Sequence, residues 1–351
     1  MHLVQKRCGL NKEFLMLWLF LPVIAIFSFS LTWVLRRYAL ARSLIDVPNA
    51  RSSHTIPTPR GGGVAIVVCF LAAAVAMFFL EMLPLNQVAA LLGAGALVAV
   101  LGFLDDHGHI AARWRLLGHF LAAFWALYWI GGLAPISVFG VNIDLGIFGY
   151  VVAAMFLVWM LNLYNFMDGI DGIASVEAVS ACVGAALLYW WQGGAAVGGP
   201  LLLASAVLGF LCWNFPPAKI FMGDAGSGFL GMILGIFALQ AAWISSNLFF
   251  AWLILLGVFI VDATVTLLRR LLRGEKVYEA HRSHAYQFAS RQYKRHLPVT
   301  LATGILNTVW LLPIAFLVVA GKLEGIFGLI TAYVPLLLLA LKFRAGDVEV
   351  S

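Results

Sequence analysis

Asn162-Leu-Tyr-Asn-Phe-Met-Asp-Gly-Ile-Asp-Gly172 follows an apolar run, Phe148 to Leu161, and precedes another that begins near Ile173. Two amides and two carboxylates thus fall where a membrane helix ends, a costly place for charge unless it faces water, protein or a ligand. Asn162, Asn165, Asp168 and Asp171 are spaced in steps of three, and each such step drifts about 60° around a helix. The four cannot share one narrow face of a continuous helix. Gly169 and Gly172 predict that the chain leaves the helix there and folds the carboxylates back towards the amides. The plainer alternative is a polar turn that only stops a helix, which rarely needs two Asn and two Asp in apolar surroundings.

The surrounding chain sets the class. Its 351 residues are 63% hydrophobic and 11% charged, against roughly 25% charged and under half apolar in a soluble domain. This predicts an all-α polytopic integral membrane protein, a single membrane-embedded domain over 1–351, with no room for a large soluble domain. Cys8, Cys69, Cys182 and Cys212 form no close pairs, and three lie in apolar runs. They read as small apolar fillers, giving neither a disulfide framework nor a metal cluster. The net charge of +6 fits inner loops and an anionic lipid surface, with no nucleic acid as partner.

Phe14 to Leu35 is long enough to span a bilayer. No small-residue cleavage site follows it and Arg36-Arg37 does, so it reads as retained. Further spans fall at about 62–80, 88–104, 116–130, 148–164, 173–191, 200–213, 228–244, 248–268, 298–319 and 324–341, about eleven in all, each near the ~20 residues a bilayer requires or a little shorter. With the C-terminus inside, 18 of the 22 Lys and Arg fall on inner segments, a bias that predicts an N-out, C-in orientation. Every polar motif then lies on the cytoplasmic side, and the outer loops are short and bland.

Asp105-Asp106 ends the third span. At a frayed helix end the two can converge, and adjacent like charges favour a cation between them; ordinary helix-end acids are the alternative. Lys219-Ile-Phe-Met-Gly-Asp-Ala-Gly-Ser-Gly228 links two spans. Ser227 can cap the following helix, whose N–H groups suit an anion, and Asp224 suits a hard cation. The loop is not a Walker sequence. Asp105, Asp106, Asp168, Asp171 and Asp224 are oxygen-only ligands, which suit magnesium better than zinc. Arg51, Arg60, Lys219 and the basic loop 269–297 supply anion-binding charge. The combination reads as a phosphate-handling site. Asp262 stands seven residues before Arg269, which permits a partnership on one helix face or a role in the site. His281-Arg-Ser-His284, extended by Tyr286 and Gln287, reads either as a solvated loop or as a substrate-binding patch.

Leu104-Asp-Asp106, Asn162-x-x-Asn165-x-x-Asp168-Gly-x-Asp171-Gly172 and Phe221-Met-Gly-Asp-x-Gly-Ser227, in order and with matching loop placement, resemble the polyprenyl-phosphate N-acetylhexosamine-1-phosphate transferases. The resemblance runs from about Asp46 to Gln287. It implies a multi-pass enzyme of the bacterial inner membrane that takes a UDP-sugar and undecaprenyl phosphate, uses magnesium or manganese, and releases UMP. It implies Asp224 as metal ligand, and Asp105 and Asp106 as groups that orient or deprotonate the lipid phosphate. Asn162, Asn165, Asp168 and Asp171 would shape the metal–diphosphate pocket. Where the peptidoglycan enzyme carries three His in a run, this chain has His281-Arg-Ser-His284-Ala-Tyr-Gln287. That segment looks like the branch that starts O-antigen chains, with N-acetylglucosamine, N-acetylquinosamine or N-acetylfucosamine as sugar, and it argues against a muramoyl-pentapeptide substrate. Because the diphosphate is common to all donors, sugar selection is expected from the loop 269–297, with His281, Arg282 and His284 as donor contacts. A homodimer is compatible with this reading. The rivals are an ion-coupled transporter, whose carboxylates would sit near the midplane of two related halves, and a CDP-alcohol phosphatidyltransferase, whose signature breaks at Ser175-Val176.

Overall fold

Helix occupies every apolar segment read from the sequence. A computed structural model describes residues 2–46, 56–108, 110–194, 196–275 and 282–347. The helices are α1 His2–Ala41, α2 Val64–Phe79, α3 Leu85–Gly108, α4 Ala112–Ile130, α5 Gly146–Met167, α6 Ile173–Trp191 and α7 Gly198–Asn214. They continue with α8 Asp224–Ile244, α9 Ser246–Leu255, α10 Gly257–Leu272, α11 Ala285–Tyr293, α12 Leu297–Ile305, α13 Leu312–Val319 and α14 Gly325–Lys342. The chain is an all-α polytopic membrane protein. Among the described residues seven helical stretches are long and apolar enough to cross a bilayer, eight if the bent pair α9–α10 is one span. At 16 and 17 residues, α2 and α7 are shorter than the ~20 that cross a hydrocarbon core at right angles.

Helix α8 is the centre of the bundle and almost wholly buried. Its Gly228, Gly231 and Gly235 face α5 and α3; small residues let membrane helices approach where no hydrophobic effect drives them together. The segments that carry the polar motifs meet at one end of the bundle, joined by hydrogen bonds and ion pairs. The opposite end holds an antiparallel hairpin, β3 Ile136–Val138 with β4 Val141–Ile143 (numbered after the ribbon described below). Two bonds tie it down, from Ser137 N–H to Ser246 Oγ at 2.9 Å and from Phe139 N–H to Glu324 Oε1 at 3.1 Å.

Three departures from the expected helices matter. The span expected at 248–268 is broken between Leu255 and Gly257, and α9 and α10 meet at 69°. The segment expected at 298–319 runs through a π-helical turn, Leu306–Leu311, where Asn307 Nδ2 donates to the fully buried Glu177 Oε2 at 2.7 Å and to Ser180 Oγ at 2.7 Å. That buried pair fastens α12–α13 to α6, and an intramembrane acid needs such a partner. The basic loop 269–297 is not all loop, since it contains α11.

Candidate active site

The site is assembled from four separate stretches of backbone. β1 Ile45–Asp46 pairs with β2 Thr58–Pro59, and the chain continues as a strip hydrogen-bonded to the loop before α8. Phe221 N–H donates to Pro59 O at 2.8 Å, and Gly62 N–H and Gly63 N–H donate to Phe221 O and Met222 O, each at 2.9 Å. This strip delivers Arg60 to the carboxylates. Its Nη2 lies 2.6 Å from Asp106 Oδ1 and 2.8 Å from Asp224 Oδ1. Burial works against the guanidinium charge, but Asp224 and Asp106 outweigh it, so Arg60 holds its proton more tightly than usual.

Asp106 has a second task. Its two oxygens accept Asp224 N–H at 3.1 Å and Ala225 N–H at 3.4 Å, capping the N-terminus of α8, where orphan donors favour a carboxylate. This corrects two expectations. Ser227 does not cap α8; it lies within the helix, donates to Gly223 O at 3.2 Å and accepts from Asn165 Nδ2 at 3.1 Å. Nor do Asp105 and Asp106 converge on a shared cation. Asp105 turns away to pair with Arg115 and to accept Ile110 N–H at 2.7 Å. The α3–α8 contact is close because Gly102 lacks a side chain. A Cβ there would lie 2.5 Å from Asp224 O and 2.6 Å from Ala225 N.

Helix α5 stops at Met167 and Asp168 is its C-terminal cap, as the two glycines predicted. Asn162 Nδ2 bonds back to Val158 O at 2.7 Å. Burial pushes the Asp168 carboxyl well above the usual carboxylate range; Asp224, Asp106 and Asp171 push the same way and Arg60 opposes them. A cavity of about 180 Å³ opens between α3, α4, α5 and α8, with Asp105, Arg115, Asn162, Asn165 and Asp224 at its polar part and Leu101, Leu116 and Leu161 on its apolar walls.

Asp171 faces a different neighbourhood. Its Oδ1 is 3.1 Å from His296 Nδ1, its Oδ2 accepts Ala218 N–H at 3.0 Å, and its carbonyl accepts from Thr300 Oγ1 at 2.7 Å. Asn214 Oδ1 takes Gly172 N–H at 3.1 Å. Beside Asp171 lies a larger pocket of about 600 Å³, lined by Phe221, Pro217, Arg291, Lys294, Arg295 and His296. The sequence reading missed Arg115, Asn214, His296 and Thr300; nothing local distinguishes them, because each acquires its partner through the fold.

The remaining candidates scatter. Lys219 is exposed, with its ammonium 5.4 Å from the centre of the Trp213 ring. Arg51 and His281 lie outside the described residues. The Arg282 carbonyl accepts from Arg291 Nη2 at 3.2 Å. His284 is not solvated: it is 2% exposed and forms the N-cap of α11, 3.3 Å from Asp262 Oδ1. Asp262 therefore partners α11, while Arg269, its partner in one of the two readings open for it, pairs with Asp347 at 2.8 Å.

Among the described residues no three His, Cys, Asp or Glu side chains form a ready-made metal cage. The donor set is nevertheless oxygen-only; after burial, which raises the Asp168 carboxyl most, Asp224, Asp106 and Asp171 raise it further against Arg60. Magnesium is bound by one or two carboxylates completed by water and substrate phosphates rather than by an all-protein cage. Asp224 and Asp168 fit that requirement.

The sequence model of glycosyl transferase family 4 matches residues 88–242. The chain is 30% identical over 271 residues, 73% of its length and 72% of the relative's, to the probable undecaprenyl-phosphate N-acetylglucosaminyl 1-phosphate transferase of Bacillus subtilis (strain 168). It is 30% identical over 300 residues to the decaprenyl-phosphate N-acetylglucosaminephosphotransferase of Mycolicibacterium smegmatis, covering 75% of this chain and 72% of the relative. It is also 32% identical over 245 residues to the phospho-N-acetylmuramoyl-pentapeptide-transferase of Streptococcus pneumoniae (strain Hungary19A-6), covering 63% and 71%.

Proposed function

The chain belongs to glycosyl transferase family 4, and from that premise we propose that it transfers N-acetylglucosamine-1-phosphate, or that of a 6-deoxy relative, from a UDP-sugar to undecaprenyl phosphate. The observation that carries this reading is the meeting of Arg60, Asp106 and Asp224 at one end of the bundle, with Asp168 raised by burial and by the nearby carboxylates. On the topology expected from the sequence, 18 of 22 basic residues fall on inner segments, and this end is read as cytoplasmic, in a bacterial inner membrane. The relatives' names favour N-acetylglucosamine, and the His281–His284 segment favours O-antigen initiation. A muramoyl-pentapeptide donor is the second reading, through the Streptococcus relative.

An oxygen of the lipid phosphate attacks the sugar-bearing phosphorus. The bond from that phosphorus to the bridging oxygen breaks, and UMP leaves with the bridging oxygen. No proton need be removed from a phosphate already ionised near neutral pH, so direct displacement is favoured. Asp106, fully engaged by Arg60 and two backbone N–H groups, suits holding α8 in place better than acting as nucleophile. Asp224 and Asp168 would hold a magnesium ion, whose chemistry when bound would be charge neutralisation at the diphosphate. The pocket of about 600 Å³ has the size of a ligand site; Phe221 can stack on a base, and Arg291, Lys294 and Arg295 can meet phosphate charge. The apolar walls at Leu101, Leu116 and Leu161 suit the first isoprene units of the acceptor, which brings its phosphate towards Arg115 and Asp224.

Purified protein in detergent, given UDP-N-acetylglucosamine, undecaprenyl phosphate and magnesium, should release UMP and form the lipid diphospho-sugar by mass spectrometry. Turnover of UDP-N-acetylmuramoyl-pentapeptide alone would transfer the assignment to the second reading. The metal has its own test. Because the folded Asp168 equilibrium lies above its unfolded one, its contribution to stability is complete below about pH 4 and is lost as pH rises through the raised value. Magnesium should relieve that loss, so its addition should raise Tm more at pH 8 than at pH 5. Equal shifts at both pH values would remove Asp168 from the metal set.

A further inference from the structure

Helix α11 connects two parts of the molecule that the reaction does not otherwise link. At its N-terminus stands Asp262 of α10, 6% exposed. Its Oδ1 accepts Ala285 N–H at 2.9 Å and Thr266 Oγ1 at 3.1 Å, its Oδ2 accepts Tyr286 N–H at 3.0 Å, and His284 Nδ1 is 3.3 Å from Oδ1. A capping box adds Gln287 Oε1, which takes His284 N–H at 3.2 Å. Nine residues of helix seldom persist on propensity alone; a carboxylate from another helix that takes the first N–H groups is what fixes this one. One residue on, Tyr286 reaches the other side. It is 5% exposed, and its Oη donates to Phe166 O at 2.9 Å, two residues before Asp168. Gly169 packs directly on that hydroxyl, with no room for a Cβ. Just past the other end of α11, His296 meets Asp171 at 3.1 Å.

We infer that α11 is a brace, and that Asp262 and Tyr286 are positioning residues which set the Asp168–Asp171 turn from α10 without touching substrate. Asp262 lies on α10, beyond the 69° bend from α9. The brace gives buried Asp262 a task in the reaction, while Arg269 pairs with Asp347. It also reassigns His284 from sugar contact to part of the joint. The inference rests on the transferase reading for its kinetic arm only.

Tyr286→Phe removes one hydroxyl from a buried site and should leave the fold intact. Loss of one hydrogen bond at a held turn should lower kcat about tenfold with KM for the UDP-sugar within about twofold. Hydrogen exchange should accelerate at residues 167–172 while the transmembrane core keeps its protection. Asp262→Ala should accelerate exchange at both 284–288 and 167–172, and Asp262→Asn, which retains one acceptor, should fall between it and the wild type. Should Asp262→Ala fail to fold, Tyr286→Phe decides alone. An unchanged kcat and unchanged exchange at 167–172 in Tyr286→Phe would overturn the brace. So would a raised KM with kcat intact, which is the signature of a direct donor contact. A wild type that turns over no UDP-sugar sinks the transferase reading and leaves the exchange measurement to judge α11.

Discussion

Asp224→Asn should yield a folded, inserted protein whose transfer rate is lower by at least about a thousandfold, the scale of losing preorganised charge at a transferring phosphoryl group. The fold should survive because the substitution is isosteric and leaves the neighbouring pair intact. Arg60 keeps Asp106 at 2.6 Å, and Asp106 still caps the α8 N-terminus through backbone donors that Asn does not alter. What is lost is a formal charge on the least encumbered of the carboxylates around Arg60, since Asp224 makes one ion pair where Asp106 makes one and caps a helix. An amide cannot replace that charge on a hard divalent cation. The assay is UMP release at saturating magnesium, with Tm in detergent as the control for folding. Activity within tenfold of wild type with an unchanged magnesium dependence would remove Asp224 from the metal site.

The membrane architecture was legible because apolar runs of bilayer length, broken by glycine and charge, have few other solutions. The exit from α5 at Met167 was legible for the same reason: Asp168 and Asp171 could not stay on a lipid-facing helix. Partnerships were a different matter. Asp106 finds the α8 N-terminus 118 residues away, Arg60 finds Asp224 across 164, and Asp171 finds His296 across 125. Nothing in Asp105-Asp106 says that the two carboxylates turn to different partners, because the deciding groups, Arg115 and Arg60, arrive on other elements. Helix α11 was hidden because its stability comes from Asp262, not from its own nine residues. The break between α9 and α10 carries no proline and so gave no signal.

A substitution that removes no functional group should be nearly as damaging as the loss of a ligand. Gly102→Ala normally favours a helix, by about 1 kcal/mol of propensity. In α3 the added Cβ would lie 2.5 Å from Asp224 O and 2.6 Å from both Asp224 C and Ala225 N. These are backbone atoms of the first turn of α8, which cannot rotate aside as a side chain can. Either α3 or the α8 terminus must retreat by about an ångström to restore ordinary contact, and overpacking of this kind costs about 1–3 kcal/mol. The retreat loosens the two bonds by which Asp106 holds that turn and carries Asp224 away from Arg60 and Asp168. A displacement of about 1 Å in a positioned catalytic group costs on the order of a hundredfold in rate. Gly102→Ala should therefore lower kcat about a hundredfold and lower Tm as well. Gly108→Ala, on the same helix with nothing within 4 Å of its added Cβ, should leave both unchanged or slightly raise Tm. Wild-type rate and stability in Gly102→Ala would mean that α3 and α8 do not meet backbone to backbone at the site, and Asp106 would lose its place as the cap that orients Asp224.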